Sequence, residues 1–198
     1  MGRESKRKDL IDRGLDLVHR RGFANSGVAS IAEAAGAPKG SFYNHFKSKE
    51  DFGNAVLARY FDDVLAGLNE TLQRQNQHAY ARLHAYFERL RTYNATHDFA
   101  RGCLIGNLGA EASSIEESMR ENVDRMLAQW SARIAQCLAE GQRDGSVRKT
   151  ASAETLARLV LDAWQGVVLR SKVERSSKSQ DDFISVLLPR LVGTELST

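Results

Sequence analysis

The stretch from Ser26 to Phe46 leaves the chain few ways to fold. Val28, Ile31, Ala32 and Ala35 recur at helical spacing, so its first part is a helix with one apolar face. Gly36 suits the left-handed position that ends a helix, and Pro38 suits the first position of the next one. The spacing therefore predicts a helix, a three-residue turn and a second helix. That second helix carries Lys39, Ser41, Tyr43, Asn44 and His45, all hydrogen-bond donors, while Phe42 and Phe46, four apart, face the other way as anchors. Lys47 and Lys49 follow where a further helix begins. A hairpin of this kind can be a simple packing unit. A donor-rich face between a basic start and a basic end points instead to a helix set into the major groove of DNA.

Charge distribution supports that direction. The formal net charge of +3 conceals an asymmetry: residues 1–50 hold 10 Lys and Arg against 6 Asp and Glu, and the remainder holds 18 against 19. The positive excess lies at the end where phosphate neutralisation would need it. With 198 residues, 42% of them hydrophobic, the chain can build one large or two small domains. Two prolines and no persuasive alternation of apolar and polar residues favour an all-α fold of about nine helices. The expected division is a helix-turn-helix DNA-binding domain over 1–50 and a helical regulatory and dimerisation domain over 51–198. No apolar run approaches the ~18 residues of a membrane span, and the charged start Gly2-Arg3-Glu4-Ser5-Lys6-Arg7-Lys8 lacks a signal core, so a soluble cytoplasmic protein is expected. Cys103 and Cys137 form no disulfide framework and have no metal-ligand partner at useful spacing; no metal or cofactor is expected.

Periodicity supplies the other elements. Arg7 to Arg21 is a helix with Leu10, Ile11, Leu15 and Val18 inward, ended by Gly22, with Phe23 plugging the core. Ser48 is the expected cap of a long helix whose stripe runs Phe52, Val56, Tyr60, Val64, Leu68 and Leu72, up to a polar junction at Gln75-Asn76-Gln77. Ala79 to Thr96 is a helix bearing Leu83, Tyr86, Phe87 and Leu90. Residues Arg101 to Ala112 are apolar yet glycine-rich, which suggests a close helix neighbour or room for a ligand. Ile115 to Gly141 is strongly amphipathic. Ala153 to Val173 is apolar on more than one face and, with a last helix over Phe183 to Leu191, suits a subunit interface as well as an internal core. Leu156, Val160, Trp164, Val167, Ile184, Leu187, Leu188 and Leu191 are its candidate residues.

Ile31-Ala32-Glu33-Ala34-Ala35-Gly36, followed by Pro38-Lys39-Gly40-Ser41-Phe42-Tyr43-Asn44-His45-Phe46-Lys47-Ser48-Lys49-Glu50, closely resembles the DNA-binding domain of TetR-family transcriptional repressors. The match runs from about Arg7 to Leu57. It implies that the first helix packs across the other two, that the last two helices of each subunit form a four-helix dimer bundle, and that the ligand is a palindromic double-stranded operator. It implies DNA contacts from Lys39, Gly40, Ser41, Tyr43, His45 and Lys49. Their chemistry agrees: Lys39 and Lys49 are cations for phosphates, Ser41, Tyr43 and His45 are donors, and Gly40 admits a close backbone. Asn44 is the candidate base reader, because an amide can bind adenine bidentately. Gly27 stands where many members have Ser or Thr, so the cap of that helix, and with it a phosphate contact to DNA, is missing or supplied by Ser26.

The signal that would release DNA is less legible. Tyr86, Phe87, Tyr93, Met119, Met126, Trp130 and Trp164 could line a ligand pocket, although such stripes are also ordinary core. Cys103 follows Arg101 and Gly102 at the start of a helix, a setting that favours a thiolate; it could equally be a small buried hydrophobe. Gly102-Cys103-Leu104, with Ala110-Glu111 behind and Lys172 later, resembles the NemR-like electrophile- and redox-responsive subgroup, which implies a sensor cysteine at Cys103 with Lys172 as a thiolate-stabilising cation. Two other functions stay open. One is an enzyme with Cys103 as nucleophile, for which His97 is the nearest base; the other is a helical interaction adaptor.

Overall fold

Helix is the only regular structure among the described residues of the computed structural model, which are 3–74, 76–111 and 115–193. Gln75 of the polar junction, Ala112 of the glycine-rich stretch and Gly2 of the charged start lie outside them. In chain order the helices are α1 (Arg3–Arg21), α2 (Val28–Ala34), α3 (Lys39–Tyr43), α4 (Lys49–Leu72), α5 (Ala79–Ala95), α6 (Leu104–Ala110), α7 (Glu117–Asp144) and α8 (Ala153–Glu174). The last rod is α9 (Lys178–Asp182), which runs through a π-helical turn (Phe183–Leu187) into α10 (Leu188–Val192). Counted as one rod, these three make nine, as expected. None of these helices is long and apolar enough to cross a membrane.

The chain divides into two compact units that are not contiguous in sequence. The first takes in Met1–Asp63 and Cys103–Met126, the second Val64–Gly102 and Leu127–Thr198. Both α4 and α7 are divided by this boundary.

In the first unit, Leu10, Ile11 and Val18 of α1 are buried with Ile31 and Ala32 of α2 and with Phe52, Val56 and Leu57 of α4. Gly22 ends α1 with φ +80°, and Gly36 ends α2 with φ +62°, a conformation that residues with a Cβ adopt at a cost. Ser48 caps α4 as expected: its hydroxyl accepts from the Asp51 amide at 3.1 Å, while the Asp51 carboxylate accepts from the Lys47 amide at 2.9 Å. This reciprocal cap sets the entry angle of α4. Gly53 lets two side chains close over α4, since a Cβ there would lie 2.6 Å from Phe23 and 2.8 Å from Met119.

In the second unit an aromatic cluster fills the space between α5, α8 and the π-helical turn. Phe87 lies 5.0 Å from both Trp164 and Phe183, and Trp164 lies 5.2 Å from Phe183. Arg82 is buried at the start of α5 and donates to the Leu72 carbonyl at 2.5 Å and to the Glu140 carboxylate at 2.6 Å. It thus neutralises the negative end of α4 and one acid of α7 together. Asn94 donates to buried Gln180 at 3.2 Å, and Arg91 pairs with Asp181, so the end of α5 is tied to α9. The Arg91 and Ser177 bonds hold Asp181 below the usual carboxylate range, against the opposing push of burial.

Gly14 marks a tight approach of α1 to α4, because a Cβ there would enter the Phe52 ring. Helix propensity alone would make Gly14→Ala stabilising by up to about 1 kcal/mol. Phe52 is itself held by Phe42 and Phe46, so overpacking wins. Gly14→Ala is expected to lose about 1–2 kcal/mol in urea unfolding; an unchanged or raised midpoint would show that the ring moves aside.

Candidate nucleic-acid interface

The interface is built outward from Phe42. Its ring is fully buried against Phe46 at 5.3 Å and Phe52 at 5.5 Å, which fixes the rotation of α3 about its own axis. With Phe42 inward, Lys39, Gly40 and Tyr43 are exposed, and Ser41 is half-exposed. Tyr43 keeps 56% of its surface in solvent while its ring stands roughly perpendicular to that of Phe42, with centroids 5.4 Å apart. Among the described residues outside its own helical turn, no atom lies within 4 Å of where a Cβ on Gly40 would sit, so its backbone is open to close approach.

Several details differ from expectation. Pro38 is the N-cap of α3, with φ −62° and ψ 145°, rather than its first helical residue. The helix ends at Tyr43. Asn44 is its exposed C-cap and His45 lies beyond it, so both project from the turn that follows. The reason is local: the Phe46 amide reaches back to the Phe42 carbonyl at 3.0 Å, bringing the second anchor inward and closing the helix. Ser26 does not supply the missing cap of α2. It is fully buried and its hydroxyl donates to the Gly22 carbonyl at 2.6 Å, while Gly27 occupies the N-cap with no side-chain bond. Lys49 is half-buried, its ammonium 4.5 Å above the Phe23 ring and donating to the Ala24 carbonyl at 3.1 Å.

Glu111 is the residue that sequence reasoning left without a role. It follows α6 as its C-cap and accepts from the Phe23 amide at 3.2 Å and the Ala24 amide at 2.8 Å. Nothing local signals this, because the partners are 87 and 88 residues away. The positive φ that Gly22 adopts is the one hint in that turn.

At the other end of α6, Cys103 is the N-cap, as its position after Gly102 suggested, and it is buried with the Tyr60 hydroxyl 3.5 Å from its sulfur. Tyr60 in turn packs edge-on against His19, with ring centroids 5.3 Å apart. Lys172 stands in the last turn of α8 in the second unit. The Cys137 thiol donates to the Ala79 carbonyl at 3.4 Å, and burial pushes its pKa up to about 11, which makes it a packing group at neutral pH.

The residues considered for a ligand pocket are dispersed. Met119 is buried and Met126 half-buried in the first unit. In the second, Tyr86, Phe87 and Trp164 are core, and Tyr93 is 43% exposed beside His97, with ring centroids 4.7 Å apart. Trp130 is 1% exposed, and its indole N–H meets no acceptor among the described residues. Of the residues considered for a subunit interface, Leu156, Val160, Trp164, Ile184 and Leu188 are all under 5% exposed within one chain, already packed in its own core. Val167 and Leu191 are half-buried, and Leu187 is 37% exposed. Besides Leu187, the large apolar side chains facing solvent on α8 and the π-helical turn are Leu159, Leu169, Val173 and Val186.

A short aromatic-anchored helix, carrying exposed donors and preceded by a glycine-ended helix, defines a helix-turn-helix DNA-binding protein. Comparison with known proteins narrows this. Residues 10–56 match the family of bacterial regulatory proteins, tetR family, and residues 79–187 match the tetracyclin repressor-like C-terminal domain. The transcriptional repressor DhaR of Mycobacterium sp. is 37% identical, with 97% of this chain and 95% of DhaR covered. The transcriptional repressor NemR of Escherichia coli is 31% identical, with 86% of this chain and 85% of NemR covered. Among solved structures, a regulatory protein TetR from Rhodobacter sphaeroides superposes with a TM-score of 0.89 at 31% identity, covering 93% of this chain and 97% of that one. The chain belongs to the TetR family and is a DNA-binding transcriptional regulator.

Proposed function

We propose that the protein is a homodimeric repressor that leaves a palindromic operator when its C-terminal region binds a small molecule or when Cys103 is modified by an electrophile or oxidant. The observation that carries the DNA half of this reading is the pairing of fully buried Phe42 with solvent-facing Tyr43 on a five-residue helix. Such a helix is held from behind and offers only polar groups in front. Lys39 neutralises a phosphate, while Ser41, Tyr43 and His45 donate to backbone oxygens. Asn44, at the helix end, reads a base edge. Lys49 gives one of its three donors to Ala24 and keeps the others for phosphate. The DNA-binding head over 1–50 ends where α4 begins, and the compact unit that contains it continues to Asp63 and takes in Cys103–Met126.

Two such heads are needed to hold half-sites roughly 34–36 Å apart. We place the dimer surface on Leu169 and Val173 of α8 and on Val186 and Leu187 of the π-helical turn, which are 62%, 78%, 43% and 37% exposed. Val186 and Leu187 line a groove of about 490 Å³ together with Val167, Arg170 and Glu174 of α8. Exposed leucine and valine on two elements packed against each other favour a second copy. Leu169→Glu with Val173→Glu is expected to convert a dimer to a monomer in light scattering at micromolar concentration, with helix content kept. Retention of the dimer would place the interface elsewhere.

Fluorescence anisotropy on a labelled duplex from upstream of the protein's own gene tests DNA binding. Lys39→Ala is expected to weaken binding to all sequences and to lower the salt slope by about 1. Asn44→Ala is expected to relax preference at one base pair by about 1–3 kcal/mol. Absence of salt-sensitive, sequence-selective binding by the wild type would sink the proposal.

For the signal, NemR is the relevant relative, and a solved structure of it is described as the reduced form, 28% identical to this chain with a TM-score of 0.85 over 97% of this chain and 99% of that one. Support within this chain is the position of Cys103 at the head of α6 beneath the Tyr60 hydroxyl. The Cys103 sulfur adds to one carbon of the N-ethylmaleimide C=C bond, and the proton lost from sulfur ends on the neighbouring carbon as the C=C becomes a single bond. Wild type treated with it is expected to release the duplex, and Cys103→Ser to retain it. Equal release by both would leave reversible binding of a small molecule as the signal.

A further inference from the structure

The turn between α1 and α2 is held by a carboxylate from a distant part of the chain. One oxygen of Glu111 accepts from the Phe23 amide at 3.2 Å and the other from the Ala24 amide at 2.8 Å. The same Ala24 offers its carbonyl to the Lys49 ammonium at 3.1 Å, and that ammonium lies 4.5 Å over the Phe23 ring. Ser26 closes the turn from inside, its hydroxyl on the Gly22 carbonyl at 2.6 Å and its amide on the Phe23 carbonyl at 3.1 Å. Gly22 leaves the room: a Cβ there would sit 2.7 Å from Glu111. Beyond this turn, Gly27 caps α2, and α2 leads directly to α3.

A carboxylate is an unexpected choice near a surface that meets phosphates, since it repels them. Its value is geometric: two acceptor oxygens for two adjacent amides, with charge-assisted bonds stronger than a neutral acceptor would give. We infer that Glu111 is a positioning residue for DNA binding. By clamping the Phe23 and Ala24 amides it sets the origin of α2 and α3 and holds Ala24 where it orients Lys49. Glu111 is the C-cap of α6 and Cys103 its N-cap. This inference rests on the DNA-binding reading above.

The charge gives the test its sign. Removing a negative charge from a bystander strengthens DNA binding, whereas removing a clamp weakens it. The measurement is anisotropy of wild type, Glu111→Gln and Glu111→Ala on the upstream duplex and on a random-sequence duplex, with hydrogen exchange of a peptide covering residues 23–25. Glu111→Ala is expected to lose about ten- to a hundredfold in affinity for the upstream duplex. Its affinity for random DNA falls by less, because only the Lys49 phosphate contact is shared, and exchange at 23–25 quickens. Glu111→Gln, with one good acceptor left, falls between and covers the case in which Glu111→Ala does not fold. Unchanged or tighter binding to the upstream duplex overturns the inference, as does an equal loss on both duplexes or unaltered exchange. Failure of the wild type to discriminate between the duplexes would instead count against DNA recognition itself.

Discussion

A helix of five residues does not stand by itself in water, because nucleating the first turn costs more than its few hydrogen bonds return. α3 exists because Phe42 is locked among Phe46 and Phe52, ring against ring. Everything proposed for DNA recognition depends on that packing. It sets which side of α3 faces outward, where the helix stops and how firmly Tyr43 is presented. The same rings make the α1–α4 contact at Gly14 intolerant of a methyl group. Stability and recognition are therefore coupled through one small aromatic core.

A second constraint is the supply of acceptors and charges where backbone groups would otherwise go unpaired. The amides of Phe23 and Ala24 find the Glu111 carboxylate, and the terminal carbonyl of α4 at Leu72 finds buried Arg82. Both are ionised groups meeting backbone dipoles from another part of the sequence, the strong variety of hydrogen bond. Removing either partner leaves the other stranded, so such contacts define position more sharply than apolar packing does. The two sites lie in different units, and each fixes the end of a helix that matters to its own unit.

Function follows from how these constraints are distributed. The face of α3 opposite Phe42 is polar, with Lys39, Gly40 and Tyr43 exposed. α8 and the π-helical turn expose leucine and valine that one chain does not cover. α6 joins a buried thiol at one end to the Glu111 clamp at the other within two helical turns. In a family of DNA-binding transcriptional regulators, the first of these features corresponds to the reading head; the other two are the features on which the proposed dimer face and signal site rest.

Much of this was legible in the chain. The glycine after α2, the Phe42/Phe46 spacing and the basic bias of residues 1–50 determined a helix-turn-helix head on a helical body, because turn chemistry and helical periodicity are properties of neighbouring residues. Ser48 was readable as a cap and Cys103 as a helix start for the same reason. Other points came only from tertiary structure. Ser26 offered a hydroxyl at the right place for a cap, yet the fold buried it against Gly22. Apolar periodicity marked Leu156, Val160 and Trp164 as buried, but could not say whether their own chain or a second copy covers them; the fold gave them to their own chain and left Leu169 and Val173 outside. Glu111 was one acid among 25 Asp and Glu until folding brought it to two amides more than eighty residues away. Local geometry is written in local sequence, whereas the partner of a buried or bridging group is chosen by which distant segments the packing brings together.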